Sequence, residues 1–128
     1  MTGETGHSSL LIIAVFLGVT SISQAEEIAA RGAGVLTCRQ FANMYRGQPE
    51  LAENVFFTWA QGFMTGVNYA KIAAHGKSAN LGAMTTAKQK RYIRSYCDAH
   101  PSEFFLKAAT NLYFTLPRKT VKLPPGGR

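Results

Sequence analysis

The chain has 128 residues, a formal net charge of +7 and 46% hydrophobic residues. That length leaves room for one small domain. The cationic excess points to acidic partners: anionic lipid, phosphorylated polymer, nucleic acid or an acidic protein. Eight Phe, five Tyr and one Trp supply burial for a small core.

Leu10 to Val19 read LLIIAVFLGV, an apolar run with the length of a signal-peptide core and too short for the roughly 20 residues that span a bilayer. Ser23 and Ala25 give the small-residue spacing that signal peptidase needs, so residues 1–25 are expected to be a signal peptide cleaved before Glu26. The stretch before Leu10 holds Glu4 and His7 and neither Lys nor Arg, unlike a standard positive n-region. An uncleaved anchor or a buried helix is the alternative. Cleavage leaves roughly 100 residues, with 14 cationic against six acidic side chains and a net charge of +8. Export implies an oxidising compartment, periplasmic or extracellular. There the two cysteines, Cys38 and Cys97, are expected to close a disulfide. No stable membrane anchor is expected in the mature chain.

Residues 26–36 contain two glycines and little periodicity and read as a flexible leader. Thr37 with Gln40 has capping-box spacing and opens a first helix carrying Cys38, Phe41, Met44 and Tyr45, ended by Gly47. The second helix is the longest, about Pro49 to His75, stopped by Gly76. Its apolar stripe reads Leu51, Val55, Trp59, Gly62, Gly66, Tyr69 and Ala73, widened by Phe56, Phe63, Val67 and Ala70. A Gly costs about 1 kcal/mol against Ala inside a helix, so Gly62 and Gly66 are expected to mark close approach of another backbone, or a kink.

Residues 77–85 read as a loop. Thr86 with Gln89 repeats the capping-box spacing and opens a third helix, about Ala87 to Ala99, with Tyr92, Ile93, Tyr96 and Cys97 on one face and Lys88, Lys90, Arg91 and Arg94 on the other. His100-Pro101 breaks it. Pro101 is expected to start a fourth helix, with Glu103 near its positive end. Its apolar face holds Phe104, Phe105, Ala108, Ala109, Leu112, Tyr113 and Leu116, and Pro117 stops it. Residues 118–128 form a basic tail expected to be disordered. No strand pattern competes. The expected fold is all-α: a four-helix bundle over 37–117, stapled by one disulfide.

Chemistry-bearing patterns are sparse. The cysteines serve better as a bridge than as nucleophiles. His75 sits at a helix C-terminus and His100 at a helix break, so both read as surface or capping residues. A zinc site from Cys38, Cys97, Asp98 and His100 is the alternative use of the thiols. Glu50 and Glu53 fit as dipole partners of a helix start rather than as a catalytic carboxylate pair. No catalytic residue, metal or cofactor is expected. The basic third helix and the tail (Arg118, Lys119, Lys122, Arg128) suit nucleic-acid contact, but export and the lack of a groove-reading motif argue against it.

Thr-Cys-x-x-Phe at 37–41, WAQGFMTG at 59–66 and YCDAHP at 96–101 together resemble the small exported helical proteins of the HdeA/HdeB acid-stress chaperone type. The order is also similar to that of the Rap/Tai-type immunity proteins of type VI secretion. Either resemblance spans residues 37–116 and implies a helical bundle with one disulfide, here Cys38 to Cys97, and a packing pair at Gly62 and Gly66. It implies a non-enzymatic protein that acts by binding another protein, with a homodimer as one arrangement. As a chaperone, it would hold clients on Trp59, Phe63, Phe104 and Phe105. As an immunity protein, it would present Lys88, Arg91 and Arg94 to an acidic cleft of a cell-wall toxin. A third expectation is an envelope polyanion binder using the tail.

Overall fold

The computed structural model describes residues 2, 3 and 30–122. The expected signal peptide, its cut site, the start of the leader and residues 123–128 of the tail lie outside these. Helix α1 (Cys38–Gly47) is capped as its sequence requires: the Thr37 hydroxyl accepts from the Gln40 N–H at 3.2 Å, and the Gln40 side chain accepts from the Thr37 N–H at 2.8 Å. Helix α2 (Pro49–Ala52) passes through a π turn (Glu53–Phe57) into α3 (Thr58–His75) without a break. The three pieces make one rod of about 40 Å at 1.5 Å per residue. It ends at Gly76, whose φ of 63° is the left-handed cap a glycine adopts without strain. Helices α4 (Thr86–Ala99) and α5 (Phe105–Thr115) complete a mostly helical fold of four rods.

A two-stranded antiparallel sheet lies at one end of the long rod. Strand β1 (Lys77–Ala79) pairs with β2 (Arg118–Thr120), Ser78 opposite Lys119. This corrects two expectations, a plain loop at 77–85 and a disordered tail from 118. Three residues are too few for the alternation that marks a strand in sequence, and the pairing partners lie about 40 residues apart.

The disulfide forms as expected. Cys38 and Cys97 are bonded, with Cα atoms 4.7 Å apart and both residues buried. Beside it, residues 101–105 stitch onto the start of α1. The Cys38 N–H donates to the Glu103 carbonyl at 2.8 Å, the Arg39 N–H to Pro101 at 2.9 Å, and the Phe105 N–H to Leu36 at 2.8 Å. Carbonyls from another segment thus satisfy the first amides of α1, which have no partner within the helix. Pro101 and Glu103 are accordingly held in a turn, and the last helix starts at Phe105 rather than at Pro101.

The core centres on Phe41, Phe56 and Phe105, whose ring centroids lie 4.8 to 5.3 Å apart. The fully buried line of the long rod is Ala52, Phe56, Ala60 and Met64; of the expected stripe, Phe56 lies on this line and Trp59, Phe63 and Val67 pack half-buried beside it. Leu51, Val55 and Tyr69 are exposed, Tyr69 by 79%. Gly62 and Gly66 also face outward, and a Cβ built on either would meet nothing within 4 Å. They are not a packing pair. Helix approach is provided instead by the alanines Ala52, Ala60, Ala108 and Ala109, all fully buried.

The described part of the expected leader, from residue 30, is also structured. Gly32–Val35 form a 3-10 turn laid on Trp59, whose indole N–H donates to the Arg31 carbonyl at 2.9 Å. A Cβ on Gly34 would fall 2.1 Å from the Trp59 ring. The glycine that backbone proximity requires is therefore Gly34. Helix α4 is capped by Thr85 rather than Thr86, its hydroxyl accepting from the Lys88 N–H. Gln89 is buried, and its amide donates to the carbonyls of Leu81 and Met84 at 2.8 Å while accepting from Gln61. It organises the loop before α4 instead of closing a capping box.

Candidate functional site

The expected apolar holding surface is not assembled. Phe105 is fully buried (0% exposed), Trp59 packs under the 32–35 turn, and Phe63 stacks on Trp59 with centroids 5.6 Å apart. Phe104 alone of the four is exposed, by 40%. The run 104–105 reads as one apolar face in sequence. Its extended entry into α5 turns the two rings in different directions, because successive side chains of extended backbone point to opposite sides.

The basic residues of α4 do not share one face either. Lys90 leans back on the π turn, where its Nζ lies 2.7 Å from Glu53 Oε2 and 5.4 Å from the Phe57 ring centroid. Lys88 is exposed near the start of α4, away from the groove described next. Arg91 and Arg94, three residues apart and so neighbours on the helix surface, turn toward α1. There they meet Arg46 and Tyr45 in a groove of about 490 Å³, also lined by Phe41, Ala42, Ser95 and Asp98. The Arg94 guanidinium donates to the Tyr45 hydroxyl and lies 4.9 Å from the Tyr45 ring centroid. Arg46 donates to the Asn43 side-chain carbonyl.

The disulfide fixes this groove. It ties the first residue of α1 to α4 two residues before the end of that helix, so the α1 and α4 surfaces keep one relative position. Asp98 is the one acidic residue in the lining. Among the described residues it pairs with none of the three arginines, since the Lys90–Glu53 contact is the ion pair found there. Guanidinium groups are permanently charged and fork-shaped, suited to bidentate contact with carboxylates or phosphates. The groove therefore presents oriented, uncompensated donors.

Arg46 and Tyr45 were not legible as site residues. Tyr45 reads as part of the apolar face of α1, and nothing in the local sequence says that α1 lies beside α4. The bridge between Cys38 and Cys97 was the available signal. The same bridge leaves neither sulfur free as a thiolate, so zinc ligation by Cys38 and Cys97 does not apply. His100 stacks on Tyr96 with centroids 4.3 Å apart, and its Nδ1 lies 2.9 Å from the Tyr96 carbonyl, a capping role at the end of α4. Tyr96 in turn donates to Glu103 Oε2 at 2.5 Å. That bond to a carboxylate, with some burial, pushes the phenol up to about 12. No helix among the described residues is long and apolar enough to cross a membrane. Compared with known families, curated proteins and solved structures, the chain matches no family model, no curated protein and no solved structure.

Proposed function

We propose that this chain is an exported, non-enzymatic binding protein whose α1–α4 groove engages an acidic surface of a partner protein. The observation that carries this reading is the convergence of Arg46, Arg91 and Arg94 on one groove, with no ion-pair partner among the described residues. Like charges held together repel one another, whereas a carboxylate-bearing surface relieves that repulsion and gains directional hydrogen bonds. Export is supported by the buried disulfide, which persists in oxidising compartments. The groove fits an inhibitor or immunity protein better than a client-holding chaperone, because Phe105 is buried and Trp59 and Phe63 are half-buried and packed against the core.

The test is co-purification of the mature chain with its partner at low salt, beside a variant carrying Arg91→Glu and Arg94→Glu. One defined protein in fixed stoichiometry is expected with the native chain and is lost from the variant. Retention of that partner by the variant removes the groove from the binding surface. Suppressed aggregation of unrelated unfolded proteins, unchanged by the two substitutions, would favour the chaperone reading instead.

A further inference from the structure

The α1–α4 groove has two unlike ends. Cys38 meets Cys97 and Tyr45 meets Arg94, so the two helices run in opposite directions and Arg46 lies toward the Arg91 end. Along α4, Arg91, Arg94 and Asp98 recur at steps of three and four, which places them on one stripe of the helix. All three line the groove. Asp98 sits seven residues beyond Arg91, about 10 Å further along the axis. The cations thus gather at one end, and one carboxylate closes the other, beside the disulfide.

Asp98 is exposed and forms no ion pair among the described residues. Arg94, four residues before it, is within reach of such a pair. The base-before-acid order is the weaker arrangement on a helix, and Tyr45 outcompetes it with a hydroxyl acceptor and a ring face 4.9 Å from the guanidinium. Asp98 also falls in the last turn of α4, where the helix dipole opposes an anion. The His100 ring beyond that turn is engaged with Tyr96. The carboxylate is therefore unfavourable to its own helix, and its place in the lining gives it a use toward a partner.

We infer that Asp98 sets the specificity of the groove. The partner segment is a helix that offers carboxylates to Arg46, Arg91 and Arg94 and, seven residues away, a lysine or arginine to Asp98. A helix suits because charges seven residues apart on it repeat the spacing of Arg91 and Asp98, and because the small side chains Ala42 and Ser95 lie between the two ends. Tyr45 is a positioning residue that keeps Arg94 off Asp98. This inference rests on the groove being the binding surface, and adds the sign and spacing of the charges it accepts.

The test uses the disulfide-bonded chain and three alanine-based helical peptides. Each peptide carries Glu at two positions three residues apart and, seven residues after the first, Lys, Gln or a third Glu. Binding is read by calorimetry at low salt. Attraction to net charge alone ranks the peptides Glu, Gln, Lys, tightest first, because the chain is cationic. The groove predicts the reverse order, with the Lys peptide about threefold tighter than the Gln peptide. Asp98→Asn should erase that preference, and Asp98→Lys should invert it. The melting temperature of Asp98→Asn should stay at or above that of the native chain, because an acid is removed from a helix C-terminus. Tyr45→Leu should shrink the preference by freeing Arg94 to pair with Asp98, while Tyr45→Phe, which keeps the ring face, retains it. Tightest binding by the Glu peptide, a Lys preference that survives Asp98→Asn, or no saturable binding by any of the three overturns the role of Asp98 and leaves the arginine groove standing. Binding of all three that is unchanged by Arg91→Glu with Arg94→Glu removes the groove itself.

Discussion

The two ends of the long rod are held by different forces. Where the rod begins, a disulfide, three interlocking phenylalanines and a stitched helix start fix α1 against α4 and α5. At its C-terminal end, hydrogen bonds do the holding. The Asn68 amide donates to the Ala79 carbonyl at 2.9 Å, and its oxygen accepts from the Ala79 N–H at 2.8 Å and from the Tyr113 hydroxyl at 2.9 Å. One side chain thus docks β1 on α3 and α5. Closure of a two-stranded sheet, which is marginal in isolation, depends on this clamp. A covalent and apolar end gives a rigid platform for the arginine groove. At the polar end the buried Ser78 hydroxyl has no hydrogen-bond partner among the described residues, a feature a tightly packed aromatic core would exclude.

The contrast can be broken first at the apolar end. Phe105→Ala removes the ring shared by Phe41, Phe56 and Trp59 and should cost about 3–5 kcal/mol in urea unfolding. A loss under about 1 kcal/mol would show that the aromatic group is not what holds this end. Replacing both cysteines by alanine should cost on the order of 4 kcal/mol for a bridge closing 59 residues of separation. That is comparable to the whole stability of many small domains, so a chain that still melts cooperatively with unchanged midpoint would contradict the covalent account.

At the polar end, Asn68→Ala should cost about 2 kcal/mol by orphaning the Ala79 N–H and the Tyr113 hydroxyl. Hydrogen exchange sharpens the point: amides of 77–80 and 118–121 should exchange faster while those of α1 and the end of α4 keep their protection. Uniform acceleration across the chain would mean that the two ends unfold as one unit. Gly34→Ala forces a methyl into the Trp59 ring and should cost about 1–3 kcal/mol, read with a red shift or intensity change in tryptophan fluorescence as the indole is displaced.

The smallest effect is expected at alkaline pH. Tyr96 is raised from the model-peptide value of 10.0 to about 12, chiefly by its bond to Glu103. The folded chain therefore holds this proton more tightly than the unfolded chain. The corresponding stability is fully present below pH 10 and is lost as pH rises from 10 through 12. Tyr96→Phe should flatten the stability profile in that window, and a profile identical to that of the native chain would exclude the Tyr96–Glu103 bond as its source.

Much of the apolar end was legible in sequence, because its signals are local. Thr37 and Gln40 form the capping box that their spacing announces, and the two cysteines find each other. The stripe of the long rod was read only in part because a π turn at Glu53–Phe57 changes the rotation per residue. It displaces the buried line onto Ala52, Phe56, Ala60 and Met64. Small alanines carry little hydrophobic signal, so a stripe drawn through the larger Leu51, Val55 and Tyr69 looked stronger than the true one. The polar end was nearly invisible. Asn68 and Arg118 gain their roles from contacts with other segments, and each looks like an ordinary polar residue in its own segment.

By itself the sequence determined a mostly helical chain with two cysteines placed to bridge its first and third expected helices, because caps, periodicity and helix breaks act within a few residues. Only the tertiary structure decided which face of the long rod is buried, that residues 118–120 form a strand, and which cations share a groove. Those outcomes depend on rotation about a helix axis and on pairing between distant segments, and neither is encoded in the spacing of neighbouring residues.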